Sequence, residues 1–308
     1  MPPPAVAIQT VSRPYDMAGA PPDIPGVRHR FVDAGGLRMH LAEAGPADGE
    51  PVVCLHGWPQ DWLLWRRVMP ALAADGHRVI APDLRGFGWS DAPPDGYGKE
   101  QLASDVLALV DALGIARFAL LGHDWGGWVA LLLALRAPAR VRRVLALSIA
   151  SPLGGPPLRR VARHLHRLAY QLVLATPVLG QRLLAHHPRR LRALLQRSLR
   201  GAAEPALVDG WVARLTEPAR ARSSVLLYRT SLVDELPAIA RGRYRGRRYQ
   251  VPVQLVVGRE DPVVRPALLE GVEAQGDAVR VEEVAGVGHF VVDEAPALVI
   301  DRARSFFV

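Results

Sequence analysis

A chain of 308 residues with 49% hydrophobic content is long enough for one large domain, or a domain carrying a sizeable insertion. No run approaches the roughly 18 uninterrupted apolar residues of a spanning helix, and a single cysteine, Cys54, excludes an internal disulfide framework, so a reducing cytoplasm is the expected compartment. The net charge of +8 is concentrated, with 19 Arg and 5 acidic residues between Arg159 and Arg248. No nucleic-acid motif accompanies that charge, so the arginines read as solvated helix faces and no nucleic-acid partner is expected.

The first 26 residues, rich in Pro and Gly, read as an extended arm without the basic and apolar regions of a secretory signal. "HRFVDAGGLRMHLAEAG" predicts two short strands turned at Gly35-Gly36. "PVVCLHG" predicts a buried strand, "WLLWRRVMPALAADG" a helix stopped by Gly76, and "HRVIAPDLRG" a strand running into a loop. "KEQLASDVLALVDALG" has apolar residues at helical spacing and a Gly terminator. The strand "RFALLG", a helix through Leu135 and the strand "RRVLALSIA" follow.

From about Ser151 to Arg241 strands vanish and Arg- and Leu-rich helical segments take over. Alternation then returns with the strand "VPVQLVVG", the helix "RPALLEGVEAQG", the strand "VRVEEVAG" and the helix "DEAPALVIDRARSFF". This pattern predicts an α/β fold, a mostly parallel sheet flanked by helices with an inserted helical lid. The expected division is a 1–26 arm, a core of 27–150 plus 241–308, and a helical cap over 151–240.

The chemistry starts at "GHDWGG", where small residues bracket Asp124 between a strand and a helix. Such a turn forces its tip residue into a strained backbone, which Asp tolerates better than most side chains. An N-capping Asp is the bland alternative. A carboxylate needs no base to act as a nucleophile, and attack on saturated carbon makes an ester with the enzyme's own side chain. Water must then attack the Asp124 carbonyl carbon, which requires a base and oxyanion donors. His289 in "GVGHFVVDEAP" is the candidate base and Asp261 in "VVGREDPVV" its carboxylate partner, ahead of Glu260; Asp293 and Glu294 read as first-turn helix acids. The order nucleophile, acid, His is that of the α/β-hydrolase arrangement. The backbone N–H groups of Trp58 and Trp125 are the candidate oxyanion donors. No dense His, Cys or carboxylate spacing implies a metal, and no organic cofactor is expected.

Taken in order, "HGWPQDWLLWR", "PDLRGFGWSDAP", "GHDWGG", "DPV" and "GVGH" resemble the epoxide hydrolases of the α/β-hydrolase superfamily. The resemblance covers nearly all of the chain after the arm, and the lid only loosely. It implies two lid tyrosines that bind the epoxide oxygen and protonate it as the ring opens. Tyr228 in "LLYRTSL" resembles one and Tyr170 in "AYQLVL" the other, with His164 or His166 as a replacement for the latter. Tyr244 and Tyr249 sit in an Arg-rich connection away from the expected chemistry. The implied reaction converts a small apolar epoxide and water to a vicinal diol; an anionic tail, as on a fatty-acid epoxide, would suit the lid arginines.

Haloalkane or haloacid dehalogenases share an Asp nucleophile and are the alternative. "HGWP" lacks the polar halide-binding residue usual in the former, and Trp125 stands where fluoroacetate dehalogenases usually place Arg. A serine esterase fits less well, because Ser148 and Ser151 lack an elbow of paired glycines. A fold with a retired site is the remaining reading.

Overall fold

The computed structural model describes residues 19–154 and 169–307. Eight strands form one sheet in the order β1-β2-β4-β3-β5-β6-β7-β8. They are β1 (Val27–Asp33), β2 (Arg38–Ala44), β3 (Glu50–Leu55), β4 (His77–Pro82), β5 (Phe118–His123), β6 (Val141–Leu147), β7 (Val253–Gly258) and β8 (Val279–Val284). β2 runs antiparallel to β1 and β4, and the remaining pairs are parallel. β3 and β5 occupy the middle, where both faces are covered by helices. Their sequences are accordingly continuous apolar runs rather than alternations.

Helix α1 (Met69–Ala74), α2 (Lys99–Ala112) and α3 (Trp125–Arg136) connect the central strands, and α3 is buried from Trp125 through Leu135. Between β6 and β7 every described element is helical: α4 (Ala169–Ala175), α5 (Pro177–His186), α6 (Pro188–Ser198), α7 (Pro205–Thr216), α8 (Pro218–Thr230) and α9 (Leu236–Ala240), with a π-helical turn over Ser231–Glu235. Prolines open α5 through α8, where a missing N–H costs nothing and the fixed φ suits a helix start. The chain closes with α10 (Val291–Glu294) and α11 (Pro296–Phe306).

Two predicted helices are shorter than their composition implied. "WLLWRRVMPALAADG" splits into a 3-10 turn over Trp62–Trp65 and the separate α1, because Asp61 caps Leu63 N and Pro70 starts a new helix. "RPALLEGVEAQG" forms only 3-10 turns over Pro266–Leu268 and Val272–Gln275, since Gly271 between them takes a φ of 79°. Of the arm, residues 1–18 lie outside the described residues, as do His164 and His166.

The order of the strands places their carboxyl ends side by side. The turn after β3 carries Trp58, that after β5 carries Asp124, and those after β7 and β8 carry Asp261 and His289. This is the edge at which open α/β sheets keep their ligands. The helical insert leaves from the end of β6 and lies over that edge: Trp58 Nε1 donates to Ser224 Oγ of α8 at 3.1 Å.

Candidate active site

Asp124 adopts φ 51° and ψ −126°, outside the usual regions for a residue with a side chain. Its neighbours permit it. A Cβ on Gly122 would lie 2.6 Å from the Gly126 carbonyl oxygen, and one on Gly57 would lie 2.5 Å from the Asp124 carboxylate. Strain at the tip is tolerated because the flanking strand and α3 are fully packed.

The two carboxylate oxygens of Asp124 face different partners. Trp58 N donates to Oδ2 at 2.9 Å, while Oδ1 lies 3.7 Å from His289 Nε2. His289 Nδ1 donates to Asp261 Oδ2 at 2.9 Å, and Asp261 Oδ1 accepts from Val263 N at 2.7 Å and Val264 N at 2.9 Å. Asp261 thus has both oxygens occupied and cannot turn away. Glu260 is exposed. Glu294 accepts from Gly288 N and Phe290 N, which braces the loop on either side of His289.

Burial favours the neutral form of His289, but the Asp261 and Asp124 carboxylates outweigh it and push its pKa up to about 10. Burial likewise raises the Asp124 carboxyl, yet the hydrogen bond and charge of His289 and the Trp58 N–H hold it below the usual carboxylate range. The pair therefore stands as carboxylate and imidazolium at neutral pH, each stabilising the other.

His123, beside Asp124 in the sequence, does not line the cavity but holds the loop that carries His289. Burial lowers its pKa to about 4, so the ring is neutral, and Nε2–H donates to the His289 carbonyl at 2.8 Å. Its neighbour Trp125 opens α3, so that residue's N–H sits at the helix start directly after Asp124.

Tyr228 and Tyr170 come down from α8 and α4. Their rings lie 6.1 Å apart, edge to face, and the Tyr228 ring also meets Trp58 at 5.5 Å and Trp125 at 5.8 Å. Burial raises the Tyr228 phenol well above its ordinary value, helped by Tyr170, and raises that of Tyr170 to about 12. Both are protonated donors at neutral pH. Together with Asp124, His289, Trp58 and apolar side chains such as Leu194, Leu195, Pro262 and Phe290, they line a cavity of about 190 Å³. Tyr244 and Tyr249 bond elsewhere, to Glu100 and Ser151. Ser148 shares a positive φ, 51°, but is fully buried and lines none of the cavity around Asp124.

Two residues that contact the site carry little mark in the sequence. Ser224 accepts the Trp58 indole N–H, with nothing in its helical context to mark it. Lys99 is fully buried beside Trp125 and α8, and its one available mark was being the only lysine in the chain.

A family model for the α/β hydrolase fold matches residues 50–296. A Soluble epoxide hydrolase from Corynebacterium sp. (strain C12) is 33% identical over 289 residues, covering 91% of this chain and 97% of that one. The longer Bifunctional epoxide hydrolases 2 of Sus scrofa and Rattus norvegicus match as well, over 28% and 54% of their length. Among solved structures, the unliganded epoxide hydrolase CorEH superimposes with a TM-score of 0.75 at 32% identity, over 91% of this chain and 98% of that one. Wild-type Cfl2 from Burkholderia cenocepacia gives a TM-score of 0.79 at 31% identity, over 92% and 96% of the two chains.

Proposed function

This chain belongs to the epoxide hydrolases of the α/β-hydrolase superfamily, and on that premise we propose that it opens the epoxide by making an ester on Asp124. The observation that carries this reading is the division of labour between the Asp124 oxygens. Oδ2 already accepts the Trp58 N–H, leaving Oδ1, on the His289 side, free to attack.

In the first step Oδ1 bonds to a ring carbon and the C–O bond of the epoxide breaks. The departing oxygen takes a proton from Tyr228 or Tyr170, whose hydroxyls share the cavity with Asp124. A phenol suits this role, since an alkoxide is a poor leaving group without a proton. Esterification also removes the Asp124 charge. One of the two carboxylates that raise the His289 pKa is lost, so the imidazolium can give its proton to the phenolate left by ring opening and becomes a base only once there is an ester to hydrolyse.

In the second step His289 takes a proton from water and the hydroxide attacks Asp124 Cγ. The negative charge that develops on Oδ2 meets the N–H groups of Trp58 and Trp125. The tetrahedral intermediate collapses, Oδ1 leaves with the diol, and His289 returns the proton to it. The proton of the new carboxylic acid passes to His289, which restores the resting carboxylate and imidazolium. Residues 151–240 act as the cap that carries the acids and, through Leu194 and Leu195, the apolar part of the substrate wall. The substrate class is accordingly a small apolar epoxide, and the single buried Cys54 fits a reducing cytoplasm.

A single turnover in H₂¹⁸O tests the ester. The label should enter the peptide containing Asp124, and the first diol should carry the oxygen originally in the protein. Label appearing directly in the first diol overturns the mechanism; halide release from a haloalkane without diol formation from epoxides would assign the same nucleophile to dehalogenation.

A further inference from the structure

Lys99 is the only lysine among 308 residues, and its side chain is wholly inaccessible. The mechanism above does not use it. Its ammonium faces three different parts of the site. Nζ donates to the Leu227 carbonyl at 2.7 Å, lies 3.0 Å from Glu235 Oε2, and sits 4.2 Å from the centre of the Trp125 ring. Leu227 immediately precedes Tyr228, and Trp125 immediately follows Asp124. One cation thus touches the backbone behind the proposed acid and the side chain behind the proposed nucleophile.

The local backbone is arranged for this contact. α8 runs straight into the π-helical turn Ser231–Glu235, and that wider turn brings the Glu235 carboxylate back toward Leu227. Glu235 Oε1 then accepts the Lys99 backbone N–H at 2.5 Å, capping the start of α2. A carboxylate at a helix N-terminus is favoured by the helix dipole. An ammonium buried this deeply is expensive, and the Leu227 carbonyl and the Glu235 carboxylate beside it offset part of that cost. A hydrophobic side chain would fill the space with less desolvation, so the ion pair is better explained by the geometry it enforces.

We propose that Lys99 is the positioning residue for ring opening: through Leu227 and Glu235 it fixes the helix carrying Tyr228 in register over Asp124. This inference rests on the proposed role of Tyr228 as acid. It assigns Lys99 no contact with substrate, and places its effect on the first step rather than on ester hydrolysis, whose base and its partner carboxylate follow the strands β8 and β7.

The test is rapid-quench measurement of ester formation and ester hydrolysis in Lys99→Met, made in both the wild-type and the Tyr228→Phe backgrounds. With Tyr228 present, ester formation should slow about tenfold and hydrolysis less than about threefold; with Tyr228 absent, Lys99→Met should add less than about twofold. Equal slowing in both backgrounds, or unchanged ester formation in wild type, overturns the proposal. Glu235→Gln keeps an acceptor for the Lys99 N–H but weakens its hold on the ammonium. It should show the same dependence on Tyr228 with a smaller factor, and it serves if Lys99→Met does not fold. Failure of the underlying reading looks different: no ester forms on Asp124, or Tyr228→Phe alone leaves ester formation unchanged.

Discussion

At the sheet edge, the carboxylates of Asp124 and Asp261 are tied down by hydrogen bonds from neighbouring backbone. Asp124 takes the Trp58 N–H, Asp261 takes two N–H groups and the His289 ring, and the loop around His289 is braced by His123 and Glu294. The helical insert works differently. Its tyrosines are neutral, and the Tyr228 ring is held by edge-to-face contacts with Trp58, Trp125 and Tyr170. Charges need fixed partners because moving them in a low-dielectric interior is costly, whereas a phenol can be placed by packing. The proposed two-step reaction divides along the same line, with hydrolysis assigned to the edge and protonation to the insert.

The sharpest way to separate the two regions is His289→Gln. It removes the proposed base for the second step while leaving the Asp124 Oδ1 and both phenols in place. Ester hydrolysis should fall by about 10³-fold or more and ester formation by only a few-fold, so the Asp124 peptide accumulates with the mass of bound substrate. A variant that turns over without accumulating ester would break the division. On the insert, Tyr228→Phe should slow ester formation by about 10²-fold and Tyr170→Phe by about tenfold, measured in single turnovers. The larger factor goes to Tyr228 because it is almost fully buried between the two tryptophans, whereas Tyr170 is partly exposed. Comparable losses in hydrolysis would move the tyrosines out of the first step.

The same two regions differ in how far the sequence reveals them. The core strands are legible because a parallel strand buried on both faces must be a continuous apolar run, as in Phe118–His123. The elbow is legible because close approach and a positive φ demand small neighbours around Asp124. Asp261 and His289 follow from chain order and from loops at strand ends. Insert residues carry no such mark. Tyr228 and Tyr170 came to notice through a family resemblance, since helical periodicity cannot say which face of α8 or α4 meets the cavity. Lys99 and Glu235 are joined across 136 residues by a π-helical turn that no local pattern announces. Where local propensity did mislead, at "RPALLEGVEAQG", a single positive-φ glycine broke a segment whose composition is otherwise helical.

The smallest effect, and the most direct reading of the contrast, is in pH. In the proposed mechanism ester formation needs an ionised Asp124, whose carboxyl is held low, and protonated phenols; burial raises the Tyr170 phenol to about 12 and the Tyr228 phenol well above its ordinary value. Its rate should therefore vary only a few-fold between about pH 6 and pH 9. In the proposed second step, ester hydrolysis needs neutral His289. In the resting protein that group sits up at about 10, against the pull of burial, because two carboxylates face it. In the ester one carboxylate is gone, so the apparent pKa must fall below that value, and hydrolysis should lose rate as pH drops through it. Asp261→Asn removes the second carboxylate and should move the same limb to still lower pH, while slowing hydrolysis because the ring loses its partner. Rapid-quench rates at several pH values separate the steps. A limb that shifts upward in Asp261→Asn, or that appears in ester formation instead, would detach His289 from the edge chemistry assigned to it.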